Sequence, residues 1–234
     1  MSIMKKSELL LCVSLAIAGN ACSKESGVRD DDASEAVRFS TNIILTKVTD
    51  TRWDGGDRVG IFMTDMDNQP VSAESSNRKY SPASGNSLTP DGADNTLFFP
   101  KDGSGVNFHA YCPYAELDGT TFGIDLSDQS NQSAVDFVHA ANTEGKNKND
   151  SDVLLSFGHI LSKIILEVSM ADGTEADNLN CTIYGMKTKA EFNLLTGELG
   201  EYGGVQAITP FRQGTRFEAI LLPSALTESN YIEF

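Results

Sequence analysis

The sequence is poor in the residues that most often build disulfide scaffolds, metal centres and aromatic binding platforms. It has four Cys, three His and one Trp in 234 residues. Four cysteines are too few to staple a chain of this length, so a hydrophobic core must supply the stability. His109, His139 and His159 have no metal-ligand spacing, and we therefore predict no metal site.

Signatures of catalysis and of cofactor binding are missing as well. The sequence has no Gly-x-Ser-x-Gly elbow, zincin motif, Walker loop or dinucleotide fingerprint. The Gly103-Ser104-Gly105 segment is interpreted as a hairpin turn. A pair of glycosidase carboxylates would leave no signature, since the two need only be close in space. Because no positive feature favours an enzyme, we expect a non-enzymatic protein without cofactors.

Positive charge is scarce. The chain carries 18 Lys and Arg against 33 Asp and Glu, which gives a formal net charge of −15. An acidic body of this kind repels nucleic acid and anionic lipid headgroups. We therefore expect no nucleic-acid partner, and the charge suits a soluble surface protein.

The N-terminus lacks an apolar run long enough to cross a bilayer. Residues 9–18 are apolar but span too few positions, and Lys5 and Lys6 precede them. Small residues end at Ala21, directly before Cys22. This pattern predicts a lipoprotein signal peptide over residues 1–21, cleaved after Ala21, with acylation of Cys22. The alternative is ordinary secretion, with Cys22 free or disulfide-bonded.

The polar residues 22–36 cannot bury enough apolar surface to fold, and we interpret them as a disordered tether. After processing and acylation, Cys112 and Cys181 are the remaining thiols. They lie far apart in the chain, so we expect them to stay unpaired. Cys112 is interpreted as a small core residue and not as a nucleophile.

The body of the chain has the patterns of short strands separated by turns. Residues 54–57 form a turn before the apolar run Val59–Thr64, with Trp53 at its start. Val106–Cys112 alternates as a half-buried strand with His109 on its outer face. Residues 153–170 are interpreted as one strand or two in succession, with His159 structural at a kink. Residues 65–92 are rich in turn formers and are predicted to be mainly loop.

These stretches resemble one bacterial family. The turn running into VGIFM, the segment NFHAYCPY and the pattern L-x-F-x-H-x-L-x-K-I-x-L-x-V are similar to the fimbrillin-like (Mfa-like) surface lipoproteins of Bacteroides-type bacteria. Together with the strand pattern, the resemblance implies an all-β fold with two transthyretin-like β-sandwich domains, residues 37–150 and 151–234. Family members usually continue past Phe234 with a closing strand, so the second domain is expected to be incomplete.

The resemblance implies a lipid-anchored fimbrial (pilus) subunit, anchor or tip protein for adhesion. It would lie at the cell outer membrane, in a fimbrium on the cell surface. Its partners would be other fimbrial subunits, with a host or bacterial surface ligand beyond them. The alternative is an outer-membrane lipoprotein that binds glycans through Trp53 and the six Tyr.

The resemblance also implies assembly by β-strand addition. An N-terminal strand is removed, often after proteolysis at an Arg, and a partner's C-terminal strand fills the groove. Residues 39–48 are the candidate for the displaced strand, and Arg38 and Arg52 are the candidate cleavage points. The alternative is that this segment stays in place as a permanent edge strand and both Arg are merely solvated.

The signal-peptide pattern predicts that acylation depends on Cys22. Cells grown with a labelled palmitate analogue should transfer the label to the wild-type protein and not to Cys22→Ala. Cys12→Ala, inside the predicted signal peptide, is the matched control and should label normally. Equal labelling of wild type and Cys22→Ala would refute the lipidation.

Overall fold

The computed structural model describes residues 34–44, 53–169 and 179–234. Strands joined by turns dominate these ranges, and helix is limited to short turns at Ala73–Ser75, Ala93–Asn95 and Gln132–Val135. The predicted all-β class is confirmed. In this described part of the chain, no helix combines the length and the apolar character that a membrane crossing requires.

The strands alternate buried and exposed side chains where one face meets solvent, and are buried on both faces where two layers meet. In chain order they are β1 Arg38–Ile43, β2 Val59–Thr64, β3 Arg78–Ala83, β4 Ser87–Pro90, β5 Val106–Cys112, β6 Thr121–Asp125, β7 Val138–Lys146, β8 Asp152–His159, β9 Ser162–Glu167, β10 Thr182–Tyr184, β11 Lys187–Asn193, β12 Glu198–Leu199, β13 Gly203–Val205, β14 Phe211–Gln213, β15 Arg216–Leu221 and β16 Tyr231–Glu233.

The first group of strands closes on itself. Its order is β1-β4-β3-β2-β5-β7-β8, and β8 returns to pair with β1, so the group is a barrel where a sandwich of two sheets was expected. The neighbours are antiparallel except for β1 and β8, which are parallel. The interior holds a core that includes Phe39, Ile61, Tyr80, Phe108 and Phe157.

The second group consists of smaller sheets. β11 pairs with β6, β12 and β13, β15 lies between β14 and β9, and β10 pairs with β16. A second core, which includes Phe62, Tyr111, Phe137 and Phe192, joins residues of the barrel strands β2 and β5 to residues of β6 and β11. Barrel strands β2 and β5 are therefore buried on both faces.

Strand pairing does not change at Asp150, where the boundary between two sandwich domains was predicted. β8 follows that position and belongs to the barrel, whereas β6 precedes it and pairs with β11. The change falls between His159 and Ser162, because the long apolar run forms two strands that join different sheets. The described residues all lie in one compact unit that extends from Asp32 to Phe234.

Two local predictions need correction. Glu35 and Ala36, predicted to end the tether, pair with Phe98 and Phe99: the Glu35 carbonyl accepts a hydrogen bond of 2.9 Å from the backbone N–H of Phe99, and Ala36 bridges Phe98. Residues 65–92 contain the hairpin of β3 and β4. Pro82 and Pro90 lie within its strands, and because proline is depleted in strands they concealed it.

His109 is buried, and its predicted position on a solvent-facing side of β5 is wrong. Its side chain is 2% exposed, because a further layer covers the face that it shares with Tyr111. The ring Nε2 donates to Oδ1 of Asn68 at 3.3 Å. Burial, and after it the charge of His139, lowers the pKa of His109 to about 4.

Neutral His109 makes stability depend on pH. Because its folded-state pKa lies below the ordinary value of 6.5, the folded state binds fewer protons than the unfolded state. The stability that the neutral ring contributes is fully present above pH 6.5 and is lost as the pH falls towards 4. The free energy of unfolding falls by about 3 kcal/mol in total over this range. In His109→Gln the free energy of unfolding should fall less over this window, as measured by urea titrations. Parallel curves for the two proteins would contradict the assignment.

Candidate functional site

β1 lies between two strands and is not an edge. It runs parallel to β8 with Arg38 opposite Asp152 and Ile43 opposite Phe157, and on its other side Phe39 lies opposite Leu88 of β4. Because both sides are paired, the interpretation of this segment as a permanent edge strand is wrong. β1 occupies the closing position of the barrel.

The side chains of β1 alternate between the core and the solvent. Val37, directly before β1, and Phe39 and Thr41 are buried, whereas Arg38 and Asn42 are exposed. Phe39 makes edge contacts with the rings of Tyr80 and Phe108, at centroid distances of 5.3 and 5.2 Å. The ring fills the centre of the barrel core and gives the strand its register.

Thr41 is a buried polar residue whose hydroxyl is fully used. The hydroxyl donates to the carbonyl of Asn86 at 3.2 Å and accepts from the indole N–H of Trp53 at 3.0 Å. The backbone N–H of Thr41 donates to the same Asn86 carbonyl at 2.7 Å. Thr41 therefore ties β1 to the turn before β4 on one side and to Trp53 on the other.

Trp53 is part of the barrel wall. Its ring is partly buried and meets Phe157 edge-on at 5.0 Å. The hydrogen bond to Thr41 and the contact with Phe157 hold the indole in place. Little of the ring is therefore free for a sugar to stack on. Among the tyrosines, Tyr80 and Tyr111 are fully buried, whereas Tyr184 and Tyr231 stack at 4.7 Å on the sheet of β10 and β16.

Arg38 is an exposed side chain at the start of a strand that has neighbours on both sides. It contacts the carboxylates of Asp152 at 3.2 Å and Glu35 at 3.6 Å, and donates to the Ser151 hydroxyl at 2.6 Å. The peptide bond after it belongs to β1, so a protease must open the strand to reach it. The other predicted positions, Arg52, Ala21 and Cys22, lie outside the described residues.

A cavity of about 100 Å³ lies at the end of β1 beside Trp53. Its lining includes Cys112, Asp136 and His159, and the His159 ring nitrogen Nδ1 lies 2.8 Å from the Asp136 carboxylate. Burial and the nearby carboxylates raise the pKa of the Cys112 thiol to about 12. A thiol with so high a pKa is protonated at neutral pH and does not act as a nucleophile. The contact of His159 with Asp136 joins β8 to the segment after the short helix.

The two cysteines of the described residues, Cys112 and Cys181, are buried and form no disulfide. The described ranges also contain no cluster of three or more His, Cys, Asp or Glu that could hold a metal ion. The site consists of a strand that is paired on both sides and whose Phe39 and Thr41 side chains are buried.

Sequence reasoning missed the partners that define this site. Thr41 and Asn86 were not singled out, and the pairing of β1 with β8 was not foreseen. The available signals were the alternation of Val37, Phe39 and Thr41, and the adjacent Gly85 and Asn86, which have φ of +73° and +56°. Glycine and asparagine are the residues that most readily adopt this backbone, so the pair marks a tight hairpin.

Comparisons with known proteins agree on one family. The sequence model of a family described as fimbrillin-like matches residues 46–234. Fim1C of Bacteroides uniformis, named as a candidate fimbrium subunit, is 32% identical over 247 residues, and the alignment covers 99% of this chain and 80% of that protein.

Solved structures show the same similarity. A candidate cell adhesion protein from Bacteroides uniformis is 31% identical with a TM-score of 0.74, and the match covers 85% of this chain and 79% of that one. A candidate cell adhesion protein from Bacteroides ovatus is 25% identical with a TM-score of 0.68, over 86% of this chain and 82% of that one.

The packing of β1 predicts that Phe39 carries much of its stability. Phe39→Ala should lower the free energy of unfolding by about 3 kcal/mol, since it leaves a cavity between Tyr80 and Phe108. Asn42→Ala, on the exposed face of the same strand, should change it by less than about 0.5 kcal/mol. Equal effects of the two variants in denaturant titrations would contradict this account of β1.

Proposed function

Since this chain belongs to the fimbrillin-like family, we propose that it is a fimbrial protein of the cell surface that serves adhesion. Both the family match and the similarity to Fim1C support this role, and they confirm the resemblance found in the sequence. We further propose that it assembles with other fimbrial subunits by strand replacement at the position of β1. Its place in the fimbrium is that of a subunit, anchor or tip protein.

The position of β1 is the observation that carries the assembly proposal. Removal of β1 exposes the main-chain groups of β4 and β8 together with the slot that Phe39 fills. Two unpaired strand edges beside an apolar slot bind an extended segment through main-chain hydrogen bonds and side-chain pockets. The open barrel therefore favours the uptake of a strand from a partner subunit.

The cleavage point follows from the bounds of β1. A cut after Arg38 leaves Phe39–Ile43 connected to the body, because β1 begins at Arg38. A cut after Arg52 separates the whole of β1 from Trp53. We therefore favour Arg52 as the maturation site, with β1 held afterwards by noncovalent contacts alone.

The lipid anchor belongs to the same proposal. Acylation at Cys22 would attach the N-terminal segment to the outer membrane, and two or more acyl chains would make this attachment stable. Cleavage after Arg52 would then allow a body that has exchanged β1 for a partner strand to leave its anchored segment. The glycan-binding alternative has less support, because Trp53 is engaged with Thr41 and Phe157.

Limited proteolysis followed by peptide exchange tests the assembly proposal. Trypsin should cut the purified protein after Arg52, and a synthetic peptide with the C-terminal strand of a co-expressed fimbrial subunit should then displace β1. Native mass spectrometry would show the mass of the bound peptide and the loss of the N-terminal fragment.

Arg52→Gln and Arg38→Gln are matched controls. Because trypsin also cuts after Lys47, every protein in this test carries Lys47→Gln. In that background Arg52→Gln should retain its own β1 under the same treatment, whereas Arg38→Gln should exchange as the protein with both arginines does. A body that is cut after Arg52 and keeps its own β1 against every subunit peptide would refute strand replacement at this position.

A further inference from the structure

We propose that Trp53 and Asn86 select the strand that occupies the β1 position by requiring a hydroxyl-bearing residue at the place of Thr41. This inference rests on the proposed strand replacement, because it names what a replacing strand must carry. The inference concerns which strands the β1 position accepts. Strand replacement itself concerns only whether another strand can fill that position.

The groove presents a donor and an acceptor to the same buried point. After β1 leaves, the indole N–H of Trp53 loses its acceptor, and the carbonyl of Asn86 loses both of its donors from Thr41. Any incoming strand restores a backbone N–H to Asn86. A side-chain hydroxyl restores the other two bonds at once, since a hydroxyl both donates and accepts.

Both partners are held in place by the groove itself. Trp53 packs edge-on against Phe157, which is fully buried in β8, so its N–H keeps its direction towards the groove. Asn86 belongs to the tight turn between β3 and β4, with φ of +56°, which aims its carbonyl at β1. The acceptor and the donor therefore come from opposite sides of the position that β1 fills.

The Phe39 slot and the Thr41 position select in different ways. A large apolar slot discriminates poorly among large apolar side chains, since a methylene group changes affinity only modestly. A position at 4% exposure with two polar partners penalises a side chain that lacks both functions, because the Trp53 N–H is left unsatisfied and the Asn86 carbonyl loses one of its two donors. Threonine and valine have the same shape, so their comparison isolates the hydroxyl.

Competition between two peptides tests the inference. Residues 46–51 are replaced by the recognition sequence of a site-specific protease, and the cut protein keeps all the strands that the structure describes. Labelled peptides with the sequence of residues 35–44, unaltered or carrying Thr41→Val, then compete for the β1 position. The unaltered peptide should bind about tenfold more tightly.

A second peptide pair controls for strand propensity. Asn42→Thr and Asn42→Val differ by the same atoms on the exposed face of β1, and they should bind equally well. A preference for threonine at position 41 alone would thus report the buried partners. Equal preferences at positions 41 and 42 would overturn the inference.

The role of Trp53 is tested by removing its N–H. Since the chain has one Trp, growth with benzothienylalanine, which has sulfur in place of the N–H, changes this position alone. The preference for threonine over Thr41→Val should then fall several-fold, and Trp53→Phe should reduce it likewise. An unchanged preference in both proteins would overturn the assignment of Trp53.

The outcomes separate this inference from the function on which it rests. Exchange of both position-41 peptides with equal affinity would refute hydroxyl selection and leave strand replacement intact. Failure of even the unaltered peptide to displace β1 would refute both.

Discussion

The parallel pairing of β1 with β8 closes the barrel, and the rest of the described structure depends on that closure. Parallel neighbours need a long connection, and here the whole of the barrel between Ile43 and Asp152 provides it. In this closed arrangement Phe39 packs in the core against Tyr80 and Phe108. The N–H of Trp53 likewise finds its acceptor on β1. β1 thus completes the hydrogen bonding between the barrel strands, the apolar core and the contacts of Trp53.

The position that closes the barrel is also the one at which we propose strand replacement. β1 continues into the barrel through a single connection, residues 44–52, and its main-chain bonds can be made by any extended segment. Its side chains distinguish one segment from another, through the apolar slot at Phe39 and the paired polar groups around Thr41. Under the proposed function, stability and exchange are both properties of this one position.

Local patterns predicted much of this fold. The bounds of β2 and β5, and the buried alternation of β11 and β15, follow from hydrophobic period and turn chemistry. Long-range order was harder to predict, since a periodic strand does not name its neighbour. The partner of Arg38 lies 114 residues further on, and His109 is buried by a layer that its own strand pattern does not show. Of the site, sequence reasoning singled out the segment of β1 and missed the partners of Thr41, which are Asn86 and the indole N–H of Trp53.

Electron cryomicroscopy of fibres sheared from the cell surface tests the central claim most directly. The account predicts that in each subunit of this chain a strand contributed by a neighbouring subunit lies between β4 and β8. A large apolar side chain should fill the slot of Phe39, and the density of the subunit's own chain should begin after Arg52. Density for the subunit's own β1 in that position, continuous with Trp53, would contradict the account.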